Sequence, residues 1–377
     1  MKRANLVAAI LAAISGSARA QGTALLPGHL AVLRAGDGVV SLHLKQSPIF
    51  VDQFDADRFN AGPSATVRVA TNGAEAFYFN GHAATEGILT RSADHRMLVF
   101  AGYGGIGLLT MPGTPSQLPI QRGFCTVDAA GTTHTFLYHL VDVTQKINPR
   151  GAATDGKNNF WDCGNSGATL FYTPEGTRGP VEFESVPNTR AMRITARGLY
   201  ATLNGPDATS DDKSAGIYRF VDKTGNALPV PRQADASIEL TVPASAPYTR
   251  IAGFDISPDE TVAYIADNSA GVQKYVKTGN AWKLAYNFAI PQNIPAELNH
   301  DTGCFGLAVN FSGPAPIVYA TTTEGYGGGV NSNRVVRIVD TNATAVVTTV
   351  AQAPGENIAY RGIDFTPEQA APATPKP

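Results

Sequence analysis

A short grammar recurs along this 377-residue chain, and it restricts the fold more than any other feature. Its clearest copy starts at Arg250 and ends at Val276. A strand of small residues leads into a Ser257-Pro258-Asp259 turn, a second strand ends Tyr264-Ile265-Ala266-Asp267, and a third strand follows. Related copies begin at Glu86, Arg150, Arg190 and Phe305, and a half-copy, R-G-I-D-F-T-P-E, begins at Arg361. The six starts lie 40 to 64 residues apart, on average 55. That period suits four short strands and one long loop, the unit of a propeller blade.

The half-copy at Arg361 has one strand where the others have several. His29–Arg34, Pro48–Phe54 and Thr66–Ala70 can supply the missing three. The expected fold is therefore all-β, a six-bladed β-propeller closed by a composite blade of N- and C-terminal strands, which also protects two sheet edges. A seventh blade stays open if Pro206–Ala246 hides another unit. Composition agrees: 38 Gly and 25 Pro are too many for helical bundles, and no window holds a 3.6-residue apolar period over three turns. With 43% hydrophobic and only 16% charged residues, the chain should bury a large interior. A single propeller domain is expected over 21–367, with 368–377 a disordered tail rich in Ala and Pro.

Residues 1–20 read as a secretory signal peptide: Lys2 and Arg3, the apolar run Leu6 to Ile14, then Ala18-Arg19-Ala20 before Gln21. Cleavage after Ala20 would leave a secreted or periplasmic chain with net charge −5, down from −2. Neither value favours nucleic acid, and no later segment is long and apolar enough for membrane insertion. A monomer is expected. The three cysteines, Cys125, Cys163 and Cys304, match no zinc spacing. They read as small buried residues, with a Cys125–Cys163 bridge as the alternative.

The unit at 251–276 resembles the repeats of secreted bacterial β-propeller proteins, in which S-P-D followed by Y-I-A-D is frequent. The mature chain is also similar to a group of exported bacterial propellers. They open with a G-H-L-A-V-L-R-A-G-D-G strand, here Gly28–Gly38, and end with an F-R-G-I type strand, here Tyr360–Ile363. The resemblance implies fold and export and implies no activity.

Repeat starts should converge at one mouth of the channel. Four of the six are arginines (Arg150, Arg190, Arg250 and Arg361) and one is Glu86, in a chain poor in charge. Arginine matches carboxylate, sulfate or phosphate with a planar fork of donors. The leading expectation is recognition, with cleavage left open, of an anionic small molecule or polysaccharide such as an acidic saccharide. The alternative is a non-catalytic binding or interaction scaffold whose arginines bond to the next blade. Second-strand exits add Tyr103, Asp162, Asn204, Asp267 and Glu324, and Trp161 and Tyr326 are candidates for stacking on a sugar. A polysaccharide lyase would use the arginines on a uronate carboxylate and Tyr103 or His82 as base. A glycoside hydrolase would pair Glu86 with Asp162, Asp267 or Glu324. No G-x-S-x-G elbow is present. No cofactor is expected, although His82, Glu86 and Asp301 could hold a transition metal, or Asp, Asn and carbonyl oxygens a calcium ion.

Overall fold

A computed structural model describes residues 23–369, except 43–45, 106–120, 139–147, 165–168, 175–180, 186–187, 205–214, 222–227, 229–236, 244–250, 292–302 and 325–332. The described residues form 25 strands and no helix. Strands β1 (Leu30–Ala35), β2 (Ile49–Phe54) and β3 (Ala65–Arg68) build blade 1. Blade 2 holds β4 (Phe77–Tyr78), β5 (Thr90–Arg91), β6 (Met97–Gly104), β7 (Arg122–Asp128) and β8 (Thr133–Tyr138). Blade 3 is β9 (Pro149–Thr154), β10 (Asn159–Gly164), β11 (Thr169–Pro174) and β12 (Val181–Ser185). Blade 4 is β13 (Thr189–Thr195), β14 (Gly198–Leu203), β15 (Gly216–Val221) and β16 (Ser237–Pro243). Blade 5 is β17 (Ile251–Ile256), β18 (Val262–Asp267), β19 (Gly271–Thr278) and β20 (Ala281–Phe288). Blade 6 is β21 (Cys304–Asn310), β22 (Ile317–Thr322), β23 (Arg334–Val339) and β24 (Val347–Gln352). The last strand, β25 (Ala359–Phe365), returns to blade 1 and lies innermost, in the order β25-β1-β2-β3. Six antiparallel sheets thus form a ring, and the composite blade expected from the sequence closes it.

The apolar interior is divided into wedges between successive sheets. Ala31, Leu33 and Ala35 of β1 pack toward blade 2, while Leu30 and Val32 join Val335 and Val350 of blade 6. In β18, Ala263 and Ile265 face blade 4, and Tyr264 and Ala266 face Leu307 and Val318 of blade 6. Both faces of a middle strand are therefore buried. The period of two in its side chains decides only which neighbour each one meets.

The turns repeat as the grammar requires. The Ser257 hydroxyl donates to Asp259 at 2.6 Å and accepts from the Val262 N–H at 3.0 Å. In blade 2, Ser92 donates to Asp94 at 2.7 Å and accepts from Met97 N–H at 3.1 Å. The fourth residue of each turn, Glu260 and His95, is left-handed, with φ of 54° and 63°.

Register corrects one repeat start. Five innermost strands bulge at one place. Arg190 and Ala191 oppose Thr202, Ala252 and Gly253 oppose Ala266, Phe305 and Gly306 oppose Thr321, Arg361 and Gly362 oppose Leu33, and β9 shifts at Arg150. Blade 5 therefore places Ala252, not Arg250, at the position of the other starts, and Arg250 lies outside the described residues. The second bulge residue must be small. A Cβ on Gly151 would come within 2.7 Å of the Arg190 carbonyl, and one on Gly306 within 2.5 Å of the Arg361 carbonyl.

All three cysteines are buried and free, so no Cys125–Cys163 bridge forms. The described residues extend past 367 to 369. Glu368 donates its N–H to the His95 carbonyl at 2.8 Å, and its carboxylate lies 3.2 Å from the His95 ring, while 370–377 lie outside the described residues.

Candidate functional site

A bulge bends a strand and re-aims its side chains, and three of the inner bulges carry arginine. Arg361 is 1% exposed. Its Nη1 donates to the Glu86 carbonyl at 3.2 Å, and its Nη2 donates to the Gly81 and Asn80 carbonyls at 3.0 and 3.3 Å. The guanidinium stands 5.3 Å from the centre of the Phe79 ring. Its Nε, equally buried, meets no acceptor among the described residues. Arg150 donates through Nη1 to Asn188 Oδ1 at 2.7 Å and to the Thr189 carbonyl at 3.1 Å. Arg190, next in the ring, is buried beside that carbonyl. The carbonyl partners of Arg361 satisfy donors but do not cancel its charge.

Blade 2 supplies the acid. Tyr78 pairs with Tyr103 and Thr90 with Val99, so residues 79–89 loop inward opposite only 100–102. This excursion carries Glu86. Gly87 follows with φ of 89°, and a Cβ there would come within 2.9 Å of Arg361 Cδ, so backbone and neighbour both demand glycine. Glu86 is wholly buried. Its Oε1 accepts from the Tyr103 hydroxyl at 2.9 Å, and its Oε2 accepts from the Asn80 N–H at 3.0 Å. Burial pushes the Glu86 carboxyl up to about 7, against the pull of Arg361, the Tyr103 and Asn80 hydrogen bonds and Arg150. Burial and then the Glu86 charge push the Tyr103 phenol well above its ordinary value. Tyr103 is thus a proton donor here, and Glu86, not Tyr103, is the group that titrates near neutrality. Tyr103 Oη also lies 2.9 Å from Asn148 Oδ1, and Arg122 stands 5.8 Å from its ring centre.

The other sequence candidates divide. Asp267 caps its own turn, accepting from Ser269 N–H and Ala270 N–H, both at 2.9 Å, and from Gln273 at 3.2 Å. Glu324 forms a buried ion pair with Arg334, which donates from Nε at 2.9 Å. These two carboxylates are held within their own blades. Asp162 is buried on β10 beside Arg150 and Cys163. Trp161 is 1% exposed, packed with Ala153, Met192 and Leu199 between blades 3 and 4. It therefore offers no face to a sugar, because its place on β10 points it into a wedge. His82 is exposed and hydrogen-bonds through its N–H to Asn80. Tyr326 and Asp301 lie outside the described residues. Among the described residues no three His, Cys, Asp or Glu side chains converge to hold a metal ion.

Further along the channel, Leu89, Met192, Gly253, Leu307 and Gly362 help line a narrow waist. Beyond it lies a cluster that repeat starts do not point to. Arg193 of blade 4 reaches across to Asp364 of blade 1 at 2.9 Å and lies 3.7 Å from Asp255 of blade 5. All three stand three residues after the first bulge residue. Burial pushes the Asp255 carboxyl above its ordinary value, against the pull of Arg193.

No protein-family model matches the chain, and no curated protein matches it. Solved structures do. A candidate 6-phosphogluconolactonase from Bacteroides uniformis is 14% identical, with 87% of this chain and 83% of that one covered and a TM-score of 0.44. A gluconolactonase from Xanthomonas campestris is 12% identical, with 90% of each chain covered and a TM-score of 0.42. A functionally unknown protein from Desulfotomaculum acetoxidans is 10% identical, with 90% of each covered and a TM-score of 0.45. The propeller architecture of this chain stands on its own six sheets.

Proposed function

We propose that the arginine-bearing mouth recognises an anionic ligand, an acidic saccharide outside the cytoplasm being the class that fits best. The observation that carries this reading is Arg361. It is a guanidinium 1% exposed, bonded to three carbonyls that leave its charge intact, with Nε still without an acceptor among the described residues. A buried donor without an acceptor costs about 1–3 kcal/mol, and a ligand oxygen would recover it once the 79–89 excursion that covers Arg361 moves aside. Burial holds the Glu86 carboxyl, on which Arg361 acts, up to about 7, so at neutral pH it offsets only part of the positive charge of Arg361. Asp267 and Glu324 already serve turns and ion pairs in their own blades, so two-carboxylate hydrolysis would have to pair Glu86 with Asp162.

A second reading has its own support. Arg361 and Arg150 bond to the following blade, as ring-tying residues would. The two readings part on a panel of uronate-containing oligosaccharides incubated with the mature protein. Ligand-dependent thermal stabilisation without turnover supports recognition. A rise in the absorbance of unsaturated uronates would indicate a lyase, and new reducing ends without it a hydrolase. If Arg150→Ala and Arg361→Ala lower stability and leave binding of every panel member unchanged, the arginines are structural and the proposal falls.

A further inference from the structure

The inner strands touch one another in the order β25, β5, β9, β13, β17, β21 and back to β25, so blades 4 and 1 stand on opposite sides of the axis. At the level of the bulges this ring is closed by backbone against backbone. Gly362 N–H donates to the Gly87 carbonyl at 2.7 Å, and Ile88 N–H donates to the Arg150 carbonyl at 3.1 Å. A Cβ on Gly253 would come within 2.7 Å of the Leu307 nitrogen. Just past the bulges blade 4 comes inward. The Thr90 hydroxyl of blade 2 donates to the Met192 carbonyl at 3.0 Å, a bond between inner strands that are not neighbours in the ring.

Arg193 follows Met192 and spans what remains. Its Nη2 meets Asp364 on the opposite side at 2.9 Å, and its Nε lies 3.7 Å from Asp255 on the adjacent blade. Both carboxylates are fixed by backbone donors. Asp364 accepts from Arg91 N–H of blade 2 at 2.9 Å and from Phe365 N–H at 2.8 Å. Asp255 accepts from Val309 N–H of blade 6 and from Ile256 N–H, both at 3.0 Å. The cluster therefore gathers blades 1, 2, 4, 5 and 6 at one point. A guanidinium has the length and the planar donors to bridge two fixed carboxylates. Swinging it aside would leave both of them buried without a counter-charge, which is costly. An ion pair that merely tied neighbouring blades would need no reach across the axis.

We propose that Arg193 is a bar across the axis that shuts the channel on the face where the innermost strands end. The propeller is then a blind cup and not a tube. Solvent or a ligand reaches the waist only from the face of the repeat starts, and whatever enters there leaves by the same way. The proposal stands on the geometry of the inner strands and not on what the arginine-bearing mouth recognises.

Thr90→Cys places a thiol in the waist beside the bar. Its reaction with a small methanethiosulfonate at about pH 8 is followed by mass and located by peptide mapping, the thiolate being the reactive form. The three native cysteines, buried elsewhere, report global unfolding in the same sample. Adding Arg193→Ala should speed labelling at position 90 by about tenfold or more, because the local opening no longer breaks a buried ion pair. Adding Thr202→Val instead, which loosens the ring without touching the bar, should leave the rate within about twofold. Asp364→Asn keeps the shape and removes one anchor; it should give an intermediate rate, and it serves as the test if Arg193→Ala does not fold. Equal rates with and without the bar, equal acceleration by Thr202→Val, or labelling at position 90 that rises only together with the native cysteines overturns the proposal. None of these results bears on anion recognition.

Discussion

The Cys163 thiol of blade 3 lies 3.7 Å from the Arg190 carbonyl of blade 4 and donates to it across the blade boundary. Thr202 fills the same place one blade on, donating to the Ala252 carbonyl at 2.7 Å and accepting from Ala191 N–H at 3.0 Å. Thr321 does so again, donating to the Arg361 carbonyl and accepting from Gly306 N–H at 2.8 Å. In blades 3, 4 and 6 the side chain opposite the bulge thus grips the bulge of the next blade, and Thr202 and Thr321 also satisfy that of their own; Ala266 and Leu33 hold this place in blades 5 and 1 and have no such group.

Thr202→Val and Thr321→Val keep shape but strand a buried N–H and a buried carbonyl. Each should cost about 1–3 kcal/mol in urea unfolding. Cys163→Val, which removes only a weak S–H donor, should cost less than either threonine change.

Arg193→Met leaves the Asp255 and Asp364 carboxylates without the charge that bridges them. The expected loss at pH 8 is about 2–4 kcal/mol, below the range for wholly buried pairs because 14% of the Arg193 side chain meets solvent. Without Arg193 the Asp255 carboxyl, already raised by burial, titrates higher still in the folded state, so the gap to the unaltered protein should shrink as pH falls toward 5.

The Glu86 carboxyl, raised from 4.5 to about 7, binds its proton more tightly folded than unfolded. Its stability contribution is full below pH 4.5 and is lost as pH rises through 7, roughly 3 kcal/mol in all. Urea midpoints of Glu86→Gln should lack this slope. A difference between the two proteins that stays constant from pH 4.5 to 8 would contradict the burial of a titrating Glu86.

Burial pushes the Cys125 and Cys163 thiols up to about 12, and Cys304 is buried likewise. An aromatic disulfide reagent at pH 8 should label none of them in the native state and all three in denaturant, since the thiolate is the reactive form.

Residue patterns made the blades legible. S-x-D turns and small-residue strands depend on local backbone needs, so Ser92 and Ser257 reveal themselves without their neighbours. The composite blade followed from counting strands. The site was harder to read, because partners come from other strands. Nothing near Glu324 announces Arg334 as its counter-ion, and nothing near Trp161 says that its face of β10 meets blade 4. Arg250 preceded an I-A-G that looked like the R-G of other starts, and only pairing of Phe254 with Ile265 fixes the frame two residues later. The Arg193, Asp255 and Asp364 cluster did leave a trace, since all three hold one position of the repeat. It becomes visible only once the repeats are aligned on their bulges.

The closure of blade 1 also sets an order in time. His29 and Thr366, 337 residues apart, are hydrogen-bonded, and β1 has its inner neighbour only when residues 359–365 arrive. During synthesis the first blade must wait, its edge unpaired, until nearly all of the described chain has emerged. Contacts of such long sequence separation form slowly. Completion of this protein is therefore a late, single event, and a ribosome that stops early should release a chain that cannot close.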